Sequence, residues 1–130
     1  MSLINQILET ALYVRDIEEA ATFYENLFDV KMYARNGERH VFFKIGQSML
    51  LLFNANESKK SGSLPPHGMT GAGHVAFVVE HHDLDFWRRR LKNLHVKIER
   101  EKEWPSGGKS IYFRDPSGNL LELVTPDTWL

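Results

Sequence analysis

The sequence predicts an α+β protein built from two βαβββ modules, and three observations carry that prediction. Both halves of the chain read strand, helix, strand, strand, strand. Three stretches of the first half lie over three of the second at near-constant spacing: Glu9-Thr-Ala-Leu-Tyr-Val over His74-Val-Ala-Phe-Val-Val, Val41-Phe-Phe-Lys over Ile111-Tyr-Phe-Arg, and Leu50-Leu-Leu-Phe-Asn over Leu121-Glu-Leu-Val-Thr. A polar tract rich in Ser, Lys, Gly and Pro separates the halves. One domain spanning 1–130 follows, with module one over about 6–54, a linker over 55–70 and module two over about 71–126.

In chain order, residues 6–14 alternate as a strand, with Leu8, Leu12 and Val14 on one face and Glu9, Ala11 and Tyr13 on the other. Asp16 with Glu19 three residues on is a helix start. Ile17, Ala20, Ala21, Tyr24, Leu27 and Phe28 then make an apolar stripe at helical spacing, which covers the Leu12 face of the strand. Strands follow over 30–35, 39–45 and 48–53, the first two joined at Asn36-Gly37. In the second half, Gly73-His74-Val75-Ala76-Phe77-Val78-Val79 is a strand. A helix over about 82–94 buries Leu84, Trp87, Leu91 and Leu94. Strands over 96–102, 109–114 and 119–124 close the chain, the last two joined by Asp115-Pro116-Ser117-Gly118-Asn119.

Composition narrows the function. The chain is 42% hydrophobic and 25% charged, with a net charge of −1, so nothing draws it to nucleic acid or to an anionic membrane. It has no cysteine, which excludes disulfides and thiol catalysis and fits a cytoplasmic protein. No apolar run reaches transmembrane length.

Chemistry concentrates at the repeat-equivalent positions. His74 heads a strand, and Glu122 sits in the middle of the apolar stretch Leu120-Leu121-Glu122-Leu123-Val124. A carboxylate there needs a partner or an ion. Glu9 is the equivalent of His74, and Leu51 of Glu122. By parity all four project from the open faces of their sheets. Two other readings stand beside a metal site: Glu9 paired with a Lys or Arg, and His74 bonded to Glu122 with no ion between them. His40 and His67 are further candidates; the plain reading of His67 is a solvated loop histidine. Tyr13, Leu51, Phe53 and Trp104 are candidate substrate-binding residues, and the loop 103–109 is a candidate mobile lip.

The chain resembles the vicinal oxygen chelate superfamily, also called the glyoxalase/bleomycin-resistance/dioxygenase fold. The resemblance rests on Asp16 and the helix carrying Phe23-Tyr24, on Gly73-His74-Val75-Ala76-Phe77, and on Asp115-Pro116-Ser117-Gly118-Asn119 followed by Glu122-Leu123. It implies two βαβββ modules whose curved sheets form one cavity. It implies one divalent ion (Mn, Fe, Zn, Co, Ni or Mg) on Glu9, His74 and Glu122, acting as a Lewis acid on a small molecule with vicinal oxygens. Glu9 and Glu122 would double as proton carriers in catalysis. Glu9 departs from the histidine of many members. Leu51 stands where glyoxalase I has a fourth ligand. The expected activity is that of a metal-dependent lyase, isomerase or dioxygenase. The other class is a protein that sequesters a small molecule, as bleomycin-resistance members do. A homodimer with sites at the module interface is expected.

Overall fold

The computed structural model describes residues 3, 6–60 and 65–129. The chain divides into two compact units, Met1–Gly71 and Ala72–Leu130. Each unit is a four-stranded mixed sheet with a helix inserted after its first strand, so the α+β expectation holds.

In the first unit, β1 (Glu9–Tyr13) leads into α1 (Ile17–Phe28), followed by β2 (Ala34–Asn36), β3 (His40–Ile45) and β4 (Ser48–Phe53). The sheet order is β1-β4-β3-β2, with β1 parallel to β4 and the other pairs antiparallel. Asp16 caps α1, its carboxylate accepting the Glu19 N–H at 2.9 Å. Asp29 ends the helix in the left-handed conformation at φ 53°, a helix-stop geometry that Asp tolerates better than most residues. Leu12, Val14, Ile17, Tyr24, Leu27, Val41, Phe43, Leu50 and Leu52 are buried, as the alternation and the helical stripe require, and α1 packs on β3 and β4; Leu8, read on the same face as Leu12, lies before the start of β1 and is 60% exposed.

Two further details of this unit differ from the sequence reading. β2 begins at Ala34 rather than at residue 30, because the Met32 N–H is taken by the Glu25 carboxylate of α1 at 3.0 Å and not by a neighbouring strand. The tract after β4 is not plain linker. Asn54 caps a single helical turn, α2 (Ala55–Ser58). Residues 65–70 return to that turn through a bond from the His67 N–H to the Ser58 carbonyl at 3.0 Å. Residues 61–64 of the tract lie outside the described residues.

In the second unit, β5 (His74–Val78) is followed by a 3-10 turn (His81–Asp83), α3 (Leu84–Asn93), β6 (Ile98–Glu103), β7 (Lys109–Arg114) and β8 (Leu120–Val124). The sheet order is β5-β8-β7-β6. Leu84, Leu91, Ile111, Phe113, Leu121 and Leu123 are buried. Arg88 ties α3 to β6 through Glu101 at 2.8 Å. The loop between β6 and β7 is a closed turn, with Trp104 N–H bonded to Gly108 O at 2.8 Å and Gly107 N–H to Trp104 O at 2.9 Å. Its backbone is committed to those bonds, which argues against a mobile lip.

The register reproduces the repeat read from the sequence. Ala11 faces Leu51 across β1 and β4, and Ala76 faces Glu122 across β5 and β8. Leu51 and Glu122 are therefore equivalent positions, as are Glu9 and His74 at the heads of β1 and β5. Among the described residues no helix is long and apolar enough to cross a membrane.

Candidate functional site

The second unit builds a chain of polar contacts on its open face. β8 turns Leu121 and Leu123 inward and leaves Glu122 on the other face with His74 of β5 and Ser110 and Tyr112 of β7. His74 Nδ1 lies 2.9 Å from the Leu120 carbonyl. A carbonyl only accepts, so Nδ1 carries the proton. His74 Nε2 is 3.2 Å from Glu122 Oε1. The other carboxylate oxygen accepts from Ser110 Oγ at 2.5 Å, and that hydroxyl accepts from Trp104 Nε1–H at 2.9 Å. The carboxylate is nearly buried, whereas 48% of the His74 side chain is exposed; the strand head is more open than its apolar sequence suggests. Burial and the neighbouring Glu122 charge push the Tyr112 phenol above its ordinary value, so it remains an O–H donor.

A turn fixes this arrangement. Asp115 and Asn119 are buried. The Asp115 carboxylate accepts from Ser117 N–H, Asn119 N–H and Asn119 Nδ2 at 2.8–2.9 Å. Asn119 Oδ1 in turn accepts the Gly73 N–H at 2.7 Å, which pins the residue before β5 to the residue before β8. The buried carboxylate is thus well supplied with donors.

Beside this chain lies a groove of about 400 Å³ lined by Glu99, Arg100, Lys102, Trp104, Tyr112 and Leu120. Trp104 therefore faces a pocket, and the Lys102 ammonium stands 5.4 Å from its ring centre. Arg100 and Lys102 have no carboxylate partner among the described residues, whereas Arg114 holds Glu99 at 3.0 Å. Sequence reasoning missed Arg100, Lys102, Ser110 and Tyr112. Their alternation along β6 and β7, opposite the buried Ile111 and Phe113, was the available signal.

The first unit presents a different face. Glu9 is exposed and has no hydrogen bond or ion pair among the described residues, so the structure gives no support to a Lys or Arg partner. Leu51 is half-buried between Ala11 and Phe42. Phe53 is the hub of an aromatic cluster with Tyr13, His40, Phe42 and His67, and the Arg39 guanidinium lies over its ring. His67 is not a solvated loop residue: its Nδ1 is 2.7 Å from the Tyr13 hydroxyl, and its ring meets Phe53 edge-on at 4.3 Å. Burial and Arg39 lower the His40 pKa.

Among the described residues no three His, Asp or Glu side chains gather into a metal-binding cluster; His74 and Glu122 meet within the second unit, and Glu9 belongs to the first. The His74–Glu122 pair fits a divalent ion. With the Nδ1 proton committed, a neutral imidazole turns the Nε2 lone pair toward a carboxylate lone pair, and that arrangement needs a cation or a proton between them. Two cis ligands of an ion at about 2.1 Å stand about 3.0–3.4 Å apart, which brackets the observed separation.

Two βαβββ units in tandem, one bearing a His–carboxylate pair beside a groove, define a class of duplicated α+β proteins with a polar cluster on one open sheet face. The chain belongs to the Glyoxalase/Bleomycin resistance protein/Dioxygenase superfamily, whose model matches residues 5–123. It is similar to metallothiol transferase FosB of Bacillus licheniformis, at 31% identity over 86% of this chain and 70% of that protein. It is also similar to fosfomycin resistance protein FosX of Listeria innocua, at 26% identity over 93% and 90%. Among solved structures, lactoylglutathione lyase from Agrobacterium tumefaciens matches with a TM-score of 0.94 and 36% identity, covering 98% of both chains.

Proposed function

We propose that the chain is a metal-dependent enzyme acting on a small oxyanion, with Glu9, His74 and Glu122 holding one divalent ion. The observation that carries this reading is the His74 Nε2–Glu122 Oε1 approach, with the imidazole tautomer set by the Leu120 carbonyl. An ion bound there supplies Lewis acidity to a substrate oxygen. The chain's own residues do the rest. Ser110 and Trp104 orient the carboxylate. Arg100 and Lys102 attract the anion into the groove, and the protonated Tyr112 phenol donates to one of its oxygens. Leu51 in place of a fourth ligand leaves a coordination position open, which favours a three-ligand site over that of a four-ligand glyoxalase.

The names of the relatives supply two substrates to try: fosfomycin, a phosphonate, and lactoylglutathione, a thioester with a neighbouring hydroxyl. The charged groove favours the phosphonate. Elemental analysis and calorimetry with Mn²⁺, Fe²⁺, Co²⁺, Ni²⁺, Zn²⁺ and Mg²⁺ test the metal, with about one ion per chain expected. Turnover of fosfomycin, with water or with a thiol, tests the activity. Metal binding without turnover of either substrate, joined to tight binding of fosfomycin, would favour the sequestering alternative. No stoichiometric metal would end the enzyme reading.

The same reading makes the protein a homodimer. β1 and β5 are edge strands of their own sheets. Ile7 and Leu8 just before β1, and Val78 at the end of β5, are 78%, 60% and 67% exposed, and such edges seek cover. Co-refolding Glu9→Ala with His74→Ala protein is expected to restore one metal site per mixed dimer. No recovery in a confirmed dimer would mean that each site forms within one chain.

A further inference from the structure

After β8 the chain makes a 3-10 turn, Pro126–Trp129, that is fastened at both ends. At its start, the Thr125 N–H donates to the Lys109 carbonyl at 3.0 Å, and the Lys109 N–H donates to Thr125 Oγ1 at 2.9 Å. His81, ahead of α3, meets both Asp127 carboxylate oxygens at 3.0 Å, and Thr125 Oγ1 donates to the same carboxylate at 2.7 Å. Further on, the turn rests on the loop between β6 and β7. Ser106 Oγ donates to the Thr128 carbonyl at 3.4 Å. Gly108 has no room for a side chain: a Cβ there would stand 2.3 Å from Thr128 Oγ1 and 2.7 Å from Thr128 Cα. Gly108 is not in the left-handed region, so the seated turn, and not the backbone conformation, requires glycine here. Thr128 Oγ1 is buried without a hydrogen-bond partner among the described residues. Thr128 therefore holds the seat by its bulk.

We propose that this turn is a strap that sets the Trp104 wall of the groove and, through Ser110, the direction of the Glu122 carboxylate; only the last link rests on the metal reading above. Gly108, under the turn, is also the residue that holds Trp104, its carbonyl accepting the Trp104 N–H at 2.8 Å. The Trp104 indole N–H donates to Ser110 Oγ at 2.9 Å, and Ser110 Oγ donates to Glu122 Oε2 at 2.5 Å. A hydroxyl has one proton to give. With the indole on its lone pair, the Ser110 proton is directed at Glu122. Lifting the turn frees Gly108, Trp104 follows its backbone partner, and Ser110 loses the donor that orients it. Asp127 and Thr128 are thus positioning residues, acting on Glu122 only through the loop. The two fastenings are unequal. The His81 and Asp127 side chains are 45% and 32% exposed, and such a pair holds weakly. The Gly108 seat is packed and decides.

The first measurement needs no metal. Nuclear magnetic resonance follows the Trp104 indole N–H, assigned by its loss in Trp104→Phe. In the wild type it is expected to exchange slowly with solvent, as a bonded N–H does. Gly108→Ala is expected to lift the turn, shift that signal and speed its exchange. Asp127→Asn leaves the loop itself untouched and is expected to do the same to a smaller degree. Thr128→Val keeps the bulk and is expected to leave the signal in place. The second measurement is calorimetry with Zn²⁺. Gly108→Ala is expected to weaken binding about tenfold, and the double variant Ser110→Ala/Gly108→Ala to bind no more weakly than Ser110→Ala alone, because both act through one hydroxyl. A general loss of structure would add to the Ser110→Ala effect. Urea midpoints show which variants are folded. An unmoved Trp104 N–H in folded Gly108→Ala overturns the proposal; where Gly108→Ala is unfolded, an unmoved signal in Asp127→Asn does. So do affinity losses that add in the double variant. A wild type that binds no ion ends the metal reading instead, and the indole signal still judges the strap.

Discussion

Where the second unit carries Glu122, Ser110 and Tyr112 on its open face, the first carries Leu51, His40 and Phe42. Where the second has Val78 and Val124, the first has Tyr13 and Phe53. Strand order is the same in both, and the register of β1, β4 and β3 matches that of β5, β8 and β7. The inward faces are also alike, Leu50, Leu52, Val41 and Phe43 against Leu121, Leu123, Ile111 and Phe113, all buried. A duplicated scaffold thus keeps its core fixed by packing and lets the two open faces diverge, one into a polar contact chain and the other into an aromatic cluster.

The comparison is open to attack at several points. The largest effect is expected at Phe53. Phe53→Ala removes the hub of the aromatic cluster and is expected to destabilise the first unit by about 3–5 kcal/mol, read from urea denaturation. Val124→Ala, at the equivalent position, removes less volume from a half-buried site and is expected to change stability much less. Similar losses at both sites would mean that the cluster has no special weight.

Ser110→Ala is expected to weaken divalent-ion binding about 10–100-fold, the usual effect of removing a group that orients a ligand carboxylate, and to cost about 1–3 kcal/mol of stability, because Glu122 and Trp104 lose a buried partner. Calorimetry measures it, and unchanged affinity would show that Glu122 needs no such support. Leu51→Glu sharpens the equivalence of the two faces: a carboxylate placed opposite Glu122 in the repeat is expected to tighten the ion. Looser or unchanged binding in a folded variant would separate Leu51 from the metal.

The smallest effect concerns pH. Burial and Arg39 lower the His40 pKa, so the unfolded chain binds that proton more readily than the folded one. Stability is then expected to fall as pH drops below the unfolded value of about 6.5 and on through the folded value. His40→Phe is expected to flatten that decline in a pH series of denaturation curves. Ser110, its equivalent, contributes no such slope.

Helix α1 was legible because its signals are local: Asp16, Glu19 and the stripe from Ile17 to Phe28 lie within a few turns of each other. The pairing of Leu51 with Glu122 was legible because the alternation of strands fixes parity. β2 was misjudged because its start is decided by Glu25, a residue of another element. Ser110 supporting Glu122 requires the register of β7 against β8 to be known first. Tyr13 meeting His67 across most of the first unit leaves no local trace at all. Core positions repeat and can be counted; polar contacts between distant residues depend on the finished register.

Each sheet joins its first strand to its last: β1 lies parallel to β4, and β5 to β8. During synthesis, the first sheet closes once Phe53 has been made, with the second unit's strands still to come. His74 has to wait for β8, and the Gly73–Asn119 clamp cannot form sooner. Such distant pairing is slow to nucleate, and units tend to fold in the order in which they emerge. The nascent chain thus passes through a stage in which the aromatic face is complete and the contact between His74 and Glu122 has yet to form.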